Sequence, residues 1–122
     1  MRRKNYKGRR IKRNLKKCSV VFRAYDKVQN ALGDLLDNDP DIVEIRCNVV
    51  FETDELKDYT SDFVCTKSDG TILVRECCYR TILLRERTIN LLDASQRYWL
   101  QRGITDWKVV IDREEESNHK NG

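Results

Sequence analysis

Proline and histidine are nearly missing from this 122-residue chain, one of each, and none of its cysteines has the Cys-x-x-Cys spacing. The single histidine, His119, sits in a polar stretch and supports neither a catalytic triad nor a histidine-rich metal site. Five cysteines, Cys18, Cys47, Cys65, Cys77 and Cys78, are an odd set without zinc-ligand spacing, so a disulfide framework and a zinc knuckle are both excluded and reduced, packed thiols are expected. No apolar run is long enough to cross a membrane. The first residues lack the apolar stretch of about 7–15 residues that a secretory leader needs, so the chain is expected in the cytoplasm. Internal repeats are also lacking, and the length suits one domain with one core.

What is abundant is charge. The formal net charge is +4, but residues 1–17 hold ten Lys and Arg and no acid, leaving fourteen basic against twenty acidic residues in the remainder, about −6. A block of this kind marks an interaction arm. Arg2, Arg3, Lys4, Lys7, Arg9, Arg10, Lys12, Arg13, Lys16 and Lys17 are the candidates to neutralise phosphates, with sequence-independent, salt-sensitive nucleic-acid binding as the consequence. The bland alternative is a solvated tail. The expected division is a basic arm over 1–17, a folded domain over 18–112 and a frayed acidic tail over 113–122.

Along the domain, Val21, Phe22, Tyr25, Val28, Leu32, Leu35 and Leu36 recur at helical spacing, predicting a helix over Ser19–Asp37 with Ser19 as N-cap and Pro40 beyond its end. Asp41–Phe51 reads as a strand and Glu52–Asp58 as a loop. Tyr59–Arg80 reads as a β-hairpin turning at Asp69-Gly70. A second helix is expected within Thr81–Arg102, ended by Gly103, and Trp107–Ile111 reads as a last buried strand. The expected fold is therefore α/β, in the order helix, strand, strand, strand, helix, strand, with a mixed four-stranded sheet flanked by helices.

The hairpin carries the chemistry. Alternation puts Asp62, Val64 and Thr66 on one side of the first strand and Val74, Glu76, Cys78 and Arg80 on one side of the second. A carboxylate inside an apolar strand is costly to bury unless it is paired, hydrogen-bonded or bound to a cation. One reading is therefore a strand-start acid and an ion-paired glutamate at the sheet rim; the other is two acids converging on a divalent cation.

The phrases LLDNDPDIVEIRCN, YTSDF, DGTILVRE and SQRYWLQRGITDWKVVI, in this order and spacing, resemble the TnsA-like N-terminal endonuclease domain of the PD-(D/E)XK superfamily, the restriction-endonuclease-like fold. The resemblance spans about two thirds of the chain, Leu35–Ile111. It implies that Asp62 and Glu76, with the Cys77 carbonyl, hold Mg2+ or Mn2+. Cys78 stands where the family has its lysine, and Gln29 where the first helix supplies a glutamate. Neither replacement does the same work: Cys78 is neutral or of the wrong sign, and Arg80, on the same face, brings charge but cannot act as a base.

The resemblance implies a partner, double-stranded DNA, bound by the basic arm and Arg80, and two outcomes: a metal-dependent endodeoxyribonuclease or a catalytically degenerate relative. A third outcome, from a different class, is a non-catalytic interaction protein of a phage or mobile element that modulates a larger nucleoprotein complex. A nucleoid-associated or mobile-element setting fits all three, as does a protein partner or a homodimer.

Overall fold

The computed structural model describes residues 10–53, 56 and 59–113. Two short strands, β1 (Ile11–Arg13) and β2 (Phe22–Ala24), pair antiparallel as a ribbon. There follow α1 (Lys27–Asp37), β3 (Ile42–Val50), β4 (Thr60–Lys67), β5 (Ile72–Cys78), a single 3-10 turn (Arg80–Ile82), α2 (Glu86–Gln101) and β6 (Asp106–Ile111). The main sheet runs β3-β4-β5-β6; its first three strands are antiparallel and β6 lies parallel to β5, after the crossover through α2. The expected mixed four-stranded sheet between two helices is present.

Each face of the sheet has its own core. On one side Val28, Leu32 and Leu36 of α1 and Phe22 and Ala24 of β2 pack on Ile42, Ile45, Phe63, Cys65, Leu73 and Cys77. On the other, Tyr98 and Trp99 of α2 pack with Phe51, Tyr59, Val64 and Val74. From Phe63 of β4 onward and through β5, odd positions serve the first core and even positions the second, the period-2 alternation of a two-sided sheet. Gly70 (φ 89°) turns the hairpin and Gly103 (φ 82°) ends α2, both in the left-handed region that glycine enters without strain.

The first helix is shorter than its apolar spacing predicts, and Ser19 does not cap it. The cap is Asp26, whose carboxylate accepts from Gln29 N at 2.8 Å. Upstream, Phe22 and Ala24 are buried on either side of exposed Arg23 while Val20 and Val21 face solvent. That is a strand's alternation, which a run of seven apolar residues at mixed intervals imitates in a helical count.

The boundary of the basic arm also moves. Leu15 enters the first core, Ile45 N donates to Lys17 O at 2.9 Å, and Ile11–Arg13 is a strand, so the fold begins at or before Ile11. Arg2, Arg3, Lys4, Lys7 and Arg9 lie outside the described residues, as does the tail beyond Arg113.

Candidate functional site

Asp62 and Glu76 are both fully buried. The antiparallel ladder of β4 and β5 stops at Phe63 and Arg75, one residue before them. Beyond that point side chains replace the ladder: Asp62 N donates to Glu76 Oε1 at 3.0 Å and Cys77 N donates to Asp62 Oδ2 at 2.7 Å. Each acid therefore satisfies a backbone group that strand pairing would otherwise have used.

The other oxygen of Glu76 is engaged from two further elements. Ser61 Oγ of β4 and Ser95 Oγ of α2 each donate to Oε2 at 2.6 Å. Each hydroxyl in turn accepts an indole N–H, Ser61 from Trp99 Nε1 at 2.9 Å and Ser95 from Trp107 Nε1 at 3.1 Å. Because the indoles can only donate, both hydroxyl protons are directed at the carboxylate. Two indoles, two hydroxyls, one amide and one carboxylate thus join β4, β5, α2 and β6 in a buried network of short, charge-assisted bonds.

The sequence builds this by placing small polar residues on apolar stripes. Thr88, Leu92, Ser95 and Trp99 form the buried line of α2, and serine at the third place lets the helix lie close over Glu76. Neither Ser61 nor Ser95 stands out by motif. The usable signal is a serine interrupting an otherwise bulky helix stripe beside a strand that carries an acid.

Gln29 comes to Asp62 from the opposite layer. It is fully buried in the first turn of α1, on the face away from α2. Its Oε1 accepts from Tyr25 N at 3.0 Å, and its Nε2 donates to Asn48 Oδ1 at 2.9 Å and reaches the Asp62 carbonyl at 3.5 Å. Asn48 is itself held by a bond to Arg23 O at 2.8 Å and adopts a left-handed φ of 54°. Two oxygens therefore face the amide nitrogen of Gln29, where a carboxylate would be repelled. Cys78 is buried, on the Glu76 side by alternation, and its Sγ donates to Tyr79 O at 3.3 Å.

The structure thus ties Asp62 and Glu76 together through backbone amides at the sheet end, with Cys78 two residues beyond Glu76 in β5 and Gln29 reaching the Asp62 carbonyl from α1. A divalent cation needs carboxylate oxygens turned to it and room for water. Here both Glu76 oxygens and Asp62 Oδ2 face N–H and O–H donors in a closed interior, so the pair as folded does not fit Mg2+ or Mn2+ without displacing them. Among the described residues no group of three or more His, Cys, Asp and Glu is arranged to hold a metal ion.

Among the described basic residues named from sequence, Arg13 and Lys17 are engaged internally. Arg13 pairs with Asp34 and lies over the Phe22 ring at 5.8 Å, and Lys17 Nζ donates to Asp39 O at 2.5 Å. Arg10, Lys12, Lys16 and Arg80 are exposed, and Arg80 N donates to Asp112 Oδ1 at 2.6 Å. Arg23, opposite Lys12 in the ribbon, joins this exposed set although the apolar spacing around it suggests a helix position.

All five cysteines are free thiols. Burial, followed by the neighbouring Cys47 thiol, pushes Cys18 up to about 12, and burial, followed by Cys18, does the same to Cys65, so both are poor nucleophiles. No helix among the described residues is long and apolar enough to cross a membrane. No protein-family model matches the chain, and a search of the curated proteins finds no match.

Proposed function

We propose that this chain is a TnsA-like domain of the PD-(D/E)XK type that binds double-stranded DNA and whose acid pair has become part of the core, making it a catalytically degenerate relative of a metal-dependent endonuclease. The order α1-β3-β4-β5-α2-β6, with one acid near the start of β4, a second in β5 and a residue of α1 against the first, supports the lineage. The observation that carries the loss of cleavage is the saturation of Glu76: three donors from Ser61, Ser95 and Asp62 N occupy the oxygens on which metal chemistry depends. The absence of a lysine at Cys78 points the same way, since losing a positioned acid-base group costs about 10²–10⁴ in rate.

The test is nicking of supercoiled DNA with Mg2+ or Mn2+ beside a salt titration of duplex binding. Binding without nicking is the expected result. Nicking that disappears in Asp62→Ala would overturn the degenerate reading in favour of an active nuclease. A second reading, an interaction protein of a phage or mobile element, draws on the apolar groove of about 650 Å³ between α1 and β6, where Leu35 is 69 % exposed. Failure to bind any nucleic acid would favour it.

A further inference from the structure

The β1–β2 ribbon has two unlike faces. Phe22 and Ala24 turn inward onto α1, while Lys12 and Arg23, direct cross-strand partners, are exposed on the outer face. Like charges set opposite each other on a strand pair disfavour that pairing unless an anion lies between them. Neither residue forms an ion pair among the described residues; nearby, the carboxylate of Asp34 is taken by Arg13.

Beside Arg23 a groove of about 330 Å³ opens between the ribbon and the start of β4, lined among others by Val21, Tyr25, Asn48, Val50 and Thr60. Its size lies at the low end of the ~300–1,000 Å³ typical of small-ligand sites. Thr60 is 3 % exposed, yet its hydroxyl has no hydrogen-bond partner among the described residues. A buried, unpartnered hydroxyl is a standing cost unless something bonds to it. The same small space therefore offers Arg23, with Lys12 exposed as its cross-strand partner, an aromatic and three valines, and an unused polar atom among its lining residues.

We propose that this groove takes one unstacked nucleotide of a single-stranded DNA segment, its phosphate held by Lys12 and Arg23 and its sugar or base hydrogen-bonded by Thr60 Oγ1 against Tyr25 and Val50. The proposal rests on the nucleic-acid reading above and adds to it a preference for an unpaired stretch, such as a frayed end or overhang. Phosphate contacts supply salt-dependent affinity, and a base withdrawn from its stack onto an aromatic wall supplies the discrimination between paired and unpaired strands.

The experiment compares binding of a short single strand and of the same sequence as blunt duplex, over a salt series, for the full chain and three variants. Thr60→Val keeps the side chain's shape and removes a hydroxyl with no partner, so its fold and melting temperature are expected to hold. It should weaken single-strand binding about three- to tenfold and leave duplex binding unchanged. Lys12→Ala with Arg23→Ala should lower the single-strand salt slope by about 0.7, the amount for the one phosphate that is no longer neutralised. Lys108→Ala with Arg87→Ala, the same charge change on β6 and α2, should not. If the full chain binds DNA but the ribbon variant matches the β6 and α2 control, or Thr60→Val weakens single strand and duplex alike or neither, the nucleotide site is refuted while the DNA-binding reading stands. If the full chain binds neither form at low salt, both fall.

Discussion

Glu76→Gln separates a core network from a metal site by the sign of its effect on stability. The substitution is isosteric, so no cavity forms and only the hydrogen bonding changes. If the amide oxygen faces the hydroxyls of Ser61 and Ser95, its NH2 confronts Asp62 N–H; if it is turned over, the NH2 confronts both hydroxyl protons, which cannot turn away without disturbing the bonds from Trp99 and Trp107. Either way at least one buried donor is orphaned, at about 1–3 kcal/mol, and the surviving bonds fall from the charged class of about 1.5–3 to the neutral class of about 0.5–1.5. The sum is a loss of about 3–5 kcal/mol. Interpolated for a chain of this length, that is a fall in melting temperature of roughly 10–20 °C.

Denaturant unfolding followed by tryptophan emission is the natural assay, because the chain's two tryptophans, Trp99 and Trp107, are both members of the network. An unchanged slope with a lower midpoint would locate the effect in the native state. A site kept for metal behaves oppositely: facing carboxylates repel, and neutralising one raises stability at the expense of activity. A midpoint that rises or stays put in Glu76→Gln would refute the network account. Ser95→Ala adds a check, since coupling above about 0.5 kcal/mol in the double-mutant cycle with Glu76→Gln is expected only if the two share one network.

Two other outcomes follow from the same structure. Gly33→Ala would place a Cβ 2.8 Å from the ring of Phe22, which is fully buried and cannot yield; a gain of about 1 kcal/mol in helix propensity is outweighed by overpacking of about 1–3, and the melting temperature should drop. The Asp106 carboxyl is drawn upward by burial, but the hydrogen bond and charge of Arg75, followed by those of Lys67, outweigh this and hold it below the usual carboxylate range. A carboxyl lower in the folded than the unfolded state stabilises fully above its unfolded value near 3.9, and that stability drains away as pH falls through the folded value. Wild type should therefore lose more stability than Asp106→Asn between about pH 4 and pH 2 in acid titrations by circular dichroism, and a parallel loss would show the pair to be inert.

Most of the main sheet was readable because its strands obey one simple period. The Asp69-Gly70 turn, the alternation through β4 and β5, and Gly103 after α2 each state a local preference that agrees with the tertiary structure. The failure came at Ser19–Tyr25, where strand and helix compete. Seven apolar residues between Val21 and Leu36 satisfy a helical count, yet Phe22 and Ala24 are drawn into the sheet-side core by pairing with Ile11 and Arg13. That pairing joins residues whose strands are flanked by basic side chains, and nothing within a window of single-helix length reports it. The place of Leu15 is hidden for the same reason, since it is one apolar residue in a basic run and only the folded molecule shows where it goes.

The acids were found from sequence, but what they do was not, because spacing places a side chain on a face without saying what meets it there. Asp62 and Glu76 each bond the backbone beside the other, Glu76 Oε1 accepting from Asp62 N and Asp62 Oδ2 from Cys77 N. The difference lies in Ser61 and Ser95, common residues with no motif, which fill the space a cation and its waters require. Gln29 makes the parallel point on the other layer: its nitrogen lies between two oxygens, Asn48 Oδ1 and the Asp62 carbonyl, so an amide suits this position and a carboxylate does not. Changes that open a cation site at one of these positions would therefore break hydrogen bonds at another. The backbone amides and hydroxyls that Asp62 and Glu76 hold are reason enough for two buried carboxylates at this end of the sheet.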